Sequence, residues 1–313
     1  MSRTPFQQGR FEQLPAEPRR PHDYFSLPSE EVPLAVPGFG EHRVFLKRAG
    51  SGPPLLLVHG LMTSSYSFRY IIPQLAERFE VLAPDLPGAG RTRLSDDASP
   101  DFSADSLAAW LQAFVDAVGI RGCDAVGNSL GGYLCMKAAL RDHTLFGHLV
   151  NLHSPARPNL RLRALHQALR VPGIQRGLSA FIRRAPERWA HRNVHYADES
   201  LKSLEEARAY GEPLTSERGA RAFIGYLAEA LDPRGFQELL SELEARSRRG
   251  LPFPVPLLLV YSDRDPIVEP AHGDALRRVV PEADFVRIPG VSHFPQVDAP
   301  EVLLEALSAF LQR

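Results

Sequence analysis

The chain has 313 residues, 44% of them apolar and 23% charged, which is ample material for a buried core. Its 36 Lys+Arg nearly cancel its 37 Asp+Glu, so the charge balance gives no reason to expect nucleic acid as a partner. The only two cysteines, Cys123 and Cys135, exclude a disulfide framework and offer no metal-ligand spacing.

Residues 1–30 are rich in Pro, Arg and Glu and lack periodicity, which predicts an extended or partly disordered arm. No apolar run near the start resembles an export signal, and none elsewhere approaches the roughly 18–20 apolar residues that span a bilayer. A cytoplasmic protein without stable membrane insertion is expected. Weak strands are predicted over 31–36 and 42–47. The run P-L-L-L-V-H at 54–59 is continuous and apolar, as a strand buried on both faces of a parallel sheet must be.

From there strands and helices alternate. A helix is predicted over 68–78, a strand over 80–83, and a helix over 103–118 with Asp101 and Ser103 as candidate caps. A strand over 123–127, a helix over 130–141 and a strand over 148–152 follow, placing Cys123 and Cys135 in the core as reduced thiols. Residues 155–250 show only helical periodicity and read as a helical cap. A strand (255–262), a helix (270–280), a strand (284–288) and a final helix (300–311) complete the chain. Such alternation implies a parallel sheet covered on both faces, with 31–154 and 251–313 forming one α/β core.

Four motifs sit at expected strand ends. G-N-S-L-G at 127–131 joins a strand to a helix, the setting a nucleophile elbow requires. Gly127, Gly131 and Gly132 leave room for strand and helix to approach, and Ser129 falls at a helix N-terminus, where the N–H of Leu130 can face a developing oxyanion. H-G-L-M at 59–62 offers the backbone N–H of Leu61 as a second oxyanion donor, while His59 is expected to pin its loop through ring hydrogen bonds. D-R-D-P at 263–266 presents two carboxylates. Asp265 is preferred as the acid partner of a histidine because it lies deeper in the loop, and Asp263 is expected to cap or brace that loop. The position after the strand ending at Leu152 holds Asn151, His153 and Ser154 but no carboxylate. S-H-F-P at 292–295 places His293 after the last strand. The order Ser129, Asp265, His293 puts a nucleophile, an acid and a base on one sheet edge.

With H-G at 59–60, A-P-D-L-P-G-A-G at 83–90, G-N-S-L-G-G at 127–132, D-R-D-P at 263–266 and S-H-F-P at 292–295, the chain resembles the α/β-hydrolase superfamily over roughly residues 40–313. The resemblance implies a mostly parallel eight-stranded sheet flanked by helices, with a helical cap insertion, and a structural turn around 85–90. Ser129 stands where haloalkane dehalogenases and epoxide hydrolases carry Asp. The proline iminopeptidases carry G-G-P-G where this chain has G-L-M-T at 60–63. Leu61, Met62 and Phe294 depart from the Gly-rich loop and the Trp usual in meta-cleavage C–C hydrolases.

The expected reaction is acyl transfer by Ser129, His293 and Asp265 on a small- to medium-sized carboxylic ester, with the N–H groups of Leu61 and Leu130 as the oxyanion hole and no metal or cofactor. The expected partner is a small-molecule acyl substrate, and homo-oligomerisation stays open. The same three groups serve C–C, thioester or lactone hydrolysis and perhydrolysis, and a non-catalytic ligand-binding protein is the third reading. Nine arginines lie between Arg157 and Arg192 with only Glu187 against them. They form either a solvated helix face or a contact for a substrate carboxylate or phosphate.

Overall fold

The structure is a computed structural model that describes residues 8–95, 98–158 and 160–312. The part of the expected arm at 1–7, Asp96, Asp97, Asn159 and Arg313 lie outside the described residues. The strands are β1 (Ser29–Val36), β2 (Gly40–Ala49), β3 (Pro54–Val58), β4 (Glu80–Pro84), β5 (Arg93–Leu94), β6 (Cys123–Asn128), β7 (Phe146–Leu152), β8 (Leu257–Ser262) and β9 (Asp284–Ile288). Eight of them form one path, in the order β1-β2-β4-β3-β6-β7-β8-β9, and the two-residue β5 pairs with β2 as a ninth strand that the sequence reading lacked. Every pairing from β4 to β9 along that path is parallel, while β2 is antiparallel to β1, β4 and β5.

The continuous apolar runs have a simple cause. Successive side chains of a strand point to opposite faces, and here both faces are covered. Leu56 and Val58 of β3 join one buried cluster, whereas Leu55 and Leu57 join another. Leu257 and Leu259 of β8 divide from Leu258 and Val260 in the same way. Cys123 and Cys135 are buried free thiols.

The predicted helix over 68–78 is instead a 3-10 turn (Ser65–Phe68) and a single-turn helix, α1 (Ile72–Leu75). A continuous helix would have carried Pro73 in its interior, without an N–H to donate and with its ring against the carbonyl of Arg69; in α1 the proline occupies the first turn, where it costs nothing. The next helices are α2 (Ala104–Val118), which Ser103 caps through the N–H of Ser106 as its sequence position anticipates, and α3 (Leu130–Arg141).

Between β7 and β8 the described residues hold helices and no strand: α4 (Leu160–Leu169), α5 (Pro172–Arg184), α6 (Pro186–Asn193), α7 (Leu204–Gly211), α8 (Glu217–Gly225) with a π-helical turn after it, and α9 (Pro233–Arg248). The chain returns to the sheet through β8, then closes with α10 (Pro270–Val279), α11 (Pro295–Asp298) and α12 (Pro300–Leu311).

Residues 8–28 run along this helical insert and onto the sheet, with two 3-10 turns on the way. The first N–H groups of a helix lack acceptors within it; those of Leu204 and Glu205 at the start of α7 donate to the carbonyls of Pro15 and Ala16 (2.8 and 3.0 Å). His22 lies within hydrogen-bond distance of Glu205 (2.9 Å) and Tyr66 (3.2 Å), and Tyr24 of Ser65 (2.6 Å). Among the described residues no helix is long and apolar enough to cross a membrane.

Candidate active site

Parallel strands end on the same edge of a sheet, so β3, β6, β7, β8 and β9 deliver His59, Ser129, His153, Asp265 and His293 to one rim. Ser129 occupies the turn between β6 and α3 with φ 55° and ψ −119°, a left-handed conformation that costs a non-glycine residue on the order of 1–3 kcal/mol. The close packing around it explains the glycines. A Cβ on Gly127 would lie 2.5 Å from Gly132 Cα, and one on Gly131 would lie 2.2 Å from the Val58 carbonyl oxygen. The N–H of Ser129 donates to Leu152 O (2.7 Å), and Ser154 Oγ donates to the carbonyl of Ser129 (3.0 Å). Asn128 ties this strand to the last loop, its amide donating to the carbonyl of His293 (3.2 Å).

Asp265 and His293 meet directly. His293 Nδ1 lies 2.6 Å from Asp265 Oδ2, with both residues buried. The other carboxylate oxygen accepts the backbone N–H groups of Ile267 (2.7 Å) and Val268 (2.8 Å), a local turn that aims Oδ2 at the rim. Burial alone would raise the pKa of Asp265, but the nearby His293 and the hydrogen bonds from both His153 and His293 hold it well below the usual carboxylate range, so it is ionised at neutral pH. Asp263 is exposed and accepts the N–H of Gly290 (2.7 Å). It therefore braces the loop that carries His293 rather than its own.

His59 pins its loop from both ring nitrogens. Nδ1 donates to Gly60 O (2.8 Å) and Nε2 accepts the N–H of Leu86 (2.9 Å). Asp85 fastens the adjoining turn, accepting from the N–H and hydroxyl of Ser65 (2.7 Å each) and from the N–H of Arg91 (2.8 Å). Leu61 and Leu130 line one pocket together with Met62, Leu86, Leu214 and Phe223, so the rim and the insert share its walls. At the first position of α3, the N–H of Leu130 has no acceptor within the helix. The pocket volume is only ≈ 30 Å³. That is room for about two waters, and its lining holds Leu61 and Leu130 but neither Ser129 nor His293.

None of the nine arginines between Arg157 and Arg192 lines this pocket. Arg176 and Arg183 instead face a separate groove of ≈ 700 Å³ with Arg218, Arg221, Glu217 and Glu229. One residue of the rim escaped the sequence reading. His153 has φ 56° and is fully buried, and its Nδ1 lies 2.8 Å from Asp265 Oδ2. The available signal was positional, a histidine on the loop after β7 where an acid was sought and not found. His153, Asp265 and His293 form a group whose ligand atoms lie within 4.8 Å of one another, but their nitrogen–oxygen separations are those of N–H···O bonds, and a zinc ion would need each atom at about 2.0–2.2 Å from a common point.

A family model of the alpha/beta hydrolase fold matches residues 53–300. The chain belongs to the α/β-hydrolase fold family. This α/β-hydrolase is 24% identical over 261 residues to the uncharacterized hydrolase YugF of Bacillus subtilis, covering 82% of the chain and 89% of that protein. It is 27% identical over 276 residues to the pimeloyl-[acyl-carrier protein] methyl ester esterase of Aeromonas hydrophila, covering 86% and 99%. A thermophilic esterase from Thermogutta terrifontis shares its fold with a TM-score of 0.69 at 23% identity, covering 90% of this chain and 98% of that one. The chain is a hydrolase enzyme whose eight-strand path, mostly parallel with helices on both faces, is that of the family.

Proposed function

We propose that this hydrolase cleaves a carboxylic ester of small to medium size through an acyl-enzyme, with Ser129 as nucleophile, His293 as base and Asp265 as the acid that orients it. The observation that carries this reading is the ionised, buried Asp265 holding Nδ1 of His293 at 2.6 Å on the rim that also bears Ser129 in its strained turn. With its Nδ1–H given to Asp265, His293 has Nε2 free to take the hydroxyl proton as Ser129 attacks the carbonyl. The N–H groups of Leu61 and Leu130 stabilise the oxyanion, a contribution of about 10²–10³ in rate per donor. His293 returns the proton to the leaving alcohol and then activates water for deacylation. The helical insert acts as a cap whose apolar residues Leu214 and Phe223 set the acyl size.

The methyl ester esterase relative supports an ester over the other reactions open to the same groups, and the apolar lining of the pocket supports an uncharged acyl part. A panel of chromogenic esters from acetate to octanoate tests the reading. Turnover is expected to favour the shortest acyl groups, and Ser129→Ala is expected to lower kcat on the order of 10⁶-fold in folded protein. Equal turnover by wild type and Ser129→Ala would refute it.

A further inference from the structure

Asp265 carries two imidazoles on one oxygen. Oδ2 lies 2.6 Å from Nδ1 of His293 and 2.8 Å from Nδ1 of His153, and the two rings stand nearly perpendicular with centroids 5.7 Å apart. An ionised carboxylate only accepts, so the facing nitrogen of His153 must carry the proton. Its Nε2 is buried with no partner among the described residues, and burial pushes the pKa of the ring below the ordinary histidine value, so the ring is neutral. Holding a fully buried histidine at φ 56° with one nitrogen unsatisfied is costly, and packing alone would be served better by an apolar side chain. The backbone N–H of His153 donates to Val260 O (3.0 Å), which locks the residue to the strand that leads to Asp265.

We propose that His153 is a positioning residue for the reaction: it donates a second imidazole N–H to the oxygen of Asp265 that orients His293. The inference rests on the reading of Ser129, His293 and Asp265 given above. Two consequences follow. The carboxylate, fixed on Oδ1 by Ile267 and Val268 and on Oδ2 by His153, keeps its plane while His293 moves between its neutral and charged forms. Sharing Oδ2 also divides the charge of Asp265 between two imidazole N–H groups. The titratable groups around the pair are Asp265 and His293 themselves, Tyr261 with its ring 5.5 Å from that of His153, and His272, which receives the N–H groups of Ala156 and Arg157 beyond the same loop.

His153→Leu removes the donor. His153→Asn keeps an N–H at nearly the place of Nδ1 and tolerates the left-handed backbone. For the leucine variant, kcat on a short ester is expected to fall between about 10- and 100-fold with KM unchanged, and the acid limb of kcat/KM to move up by about half a pH unit or more. The asparagine variant is expected to restore both. A leucine variant with wild-type kcat and limb overturns the proposal. So does a fall in kcat with the limb unmoved and no rescue by asparagine, which marks a merely structural residue.

Should the leucine variant fail to fold, proton NMR of the wild type decides the matter. Two low-field imidazole N–H signals are expected, one of them lost in His153→Asn, and a single signal overturns the proposal. These signals are independent of turnover. Their presence alongside an active Ser129→Ala enzyme would mean that the reading of the site had failed and the His153 contact had not.

Discussion

The sheet rim and the seam between insert and sheet both bury charge, by different means. At the rim, Asp265 is satisfied half from its own turn, with two backbone N–H groups on one oxygen, and half from distant loops, with the two imidazoles on the other. At the seam, Arg69 is fully buried and bonds Glu206 of α7 at 2.7 Å across 137 positions of sequence, while Tyr196 donates to the same carboxylate. The Arg69 guanidinium lies 4.4 Å from the ring centre of Tyr66 and 4.5 Å from that of Tyr70. Burial pushes the Glu206 carboxyl up and the charge of Arg69 draws it back. In the proposed reading, charge at the rim is aimed at a reacting group, whereas charge at the seam fastens one part of the molecule to another. Loss of the first is therefore expected to remove activity and leave the fold, and loss of the second to do the reverse.

The largest effect that separates the two belongs to Asp265→Asn. It is expected to lower kcat on the order of 10⁴-fold with little change in the urea midpoint, while Asp263→Asn stays within a few-fold of wild type. The opposite ranking in steady-state kinetics would reassign the acid. At the seam, Arg69→Met strands a buried carboxylate and is expected to cost about 3–5 kcal/mol of stability, measured by urea denaturation. Adding Glu206→Leu is expected to recover part of that loss, because two apolar side chains no longer bury an unpaired charge.

A smaller effect is spread over both regions. His22, His42, His59, His153, His191 and His272 all have pKa values below the ordinary 6.5, in each case chiefly through burial. A histidine held neutral in the fold but free to charge when unfolded gives stability above its unfolded pKa that is lost as the pH falls. The urea midpoint is therefore expected to decline from pH 7 to pH 5. Glu206, Glu229 and Asp298, whose pKa values are raised by burial, work in the other direction and are outnumbered. A midpoint that rises on acidification would show that these carboxyls dominate.

The same contrast explains what could be read from the amino-acid order. The buried strands announced themselves as unbroken apolar runs because both faces of the sheet are covered. The placement of Ser129 before α3 and the meeting of Asp265 with His293 were legible because each of these residues occupies a short motif at a strand end. Arg69, Glu206 and Tyr196 carry no motif, since what pairs them is the docking of α7 on the turn after β3. His153 was equally silent, because its meaning depends on a carboxylate 112 positions later. The 68–78 segment misled for a local reason, its apolar spacing suiting a helix that Pro73 forbids. The arm was read from composition as extended or partly disordered, and the service of its carbonyls at Pro15 and Ala16 to the start of α7 is a role that no composition encodes.

A crystal structure of the enzyme after reaction with a fluorophosphonate tests the central claim most directly. The phosphorus is expected on Ser129 Oγ, with Nε2 of His293 beside it and one phosphoryl oxygen at about 2.7–3.1 Å from the N–H groups of both Leu61 and Leu130. Phosphorus on another side chain, or a phosphoryl oxygen turned away from both amides, would contradict it.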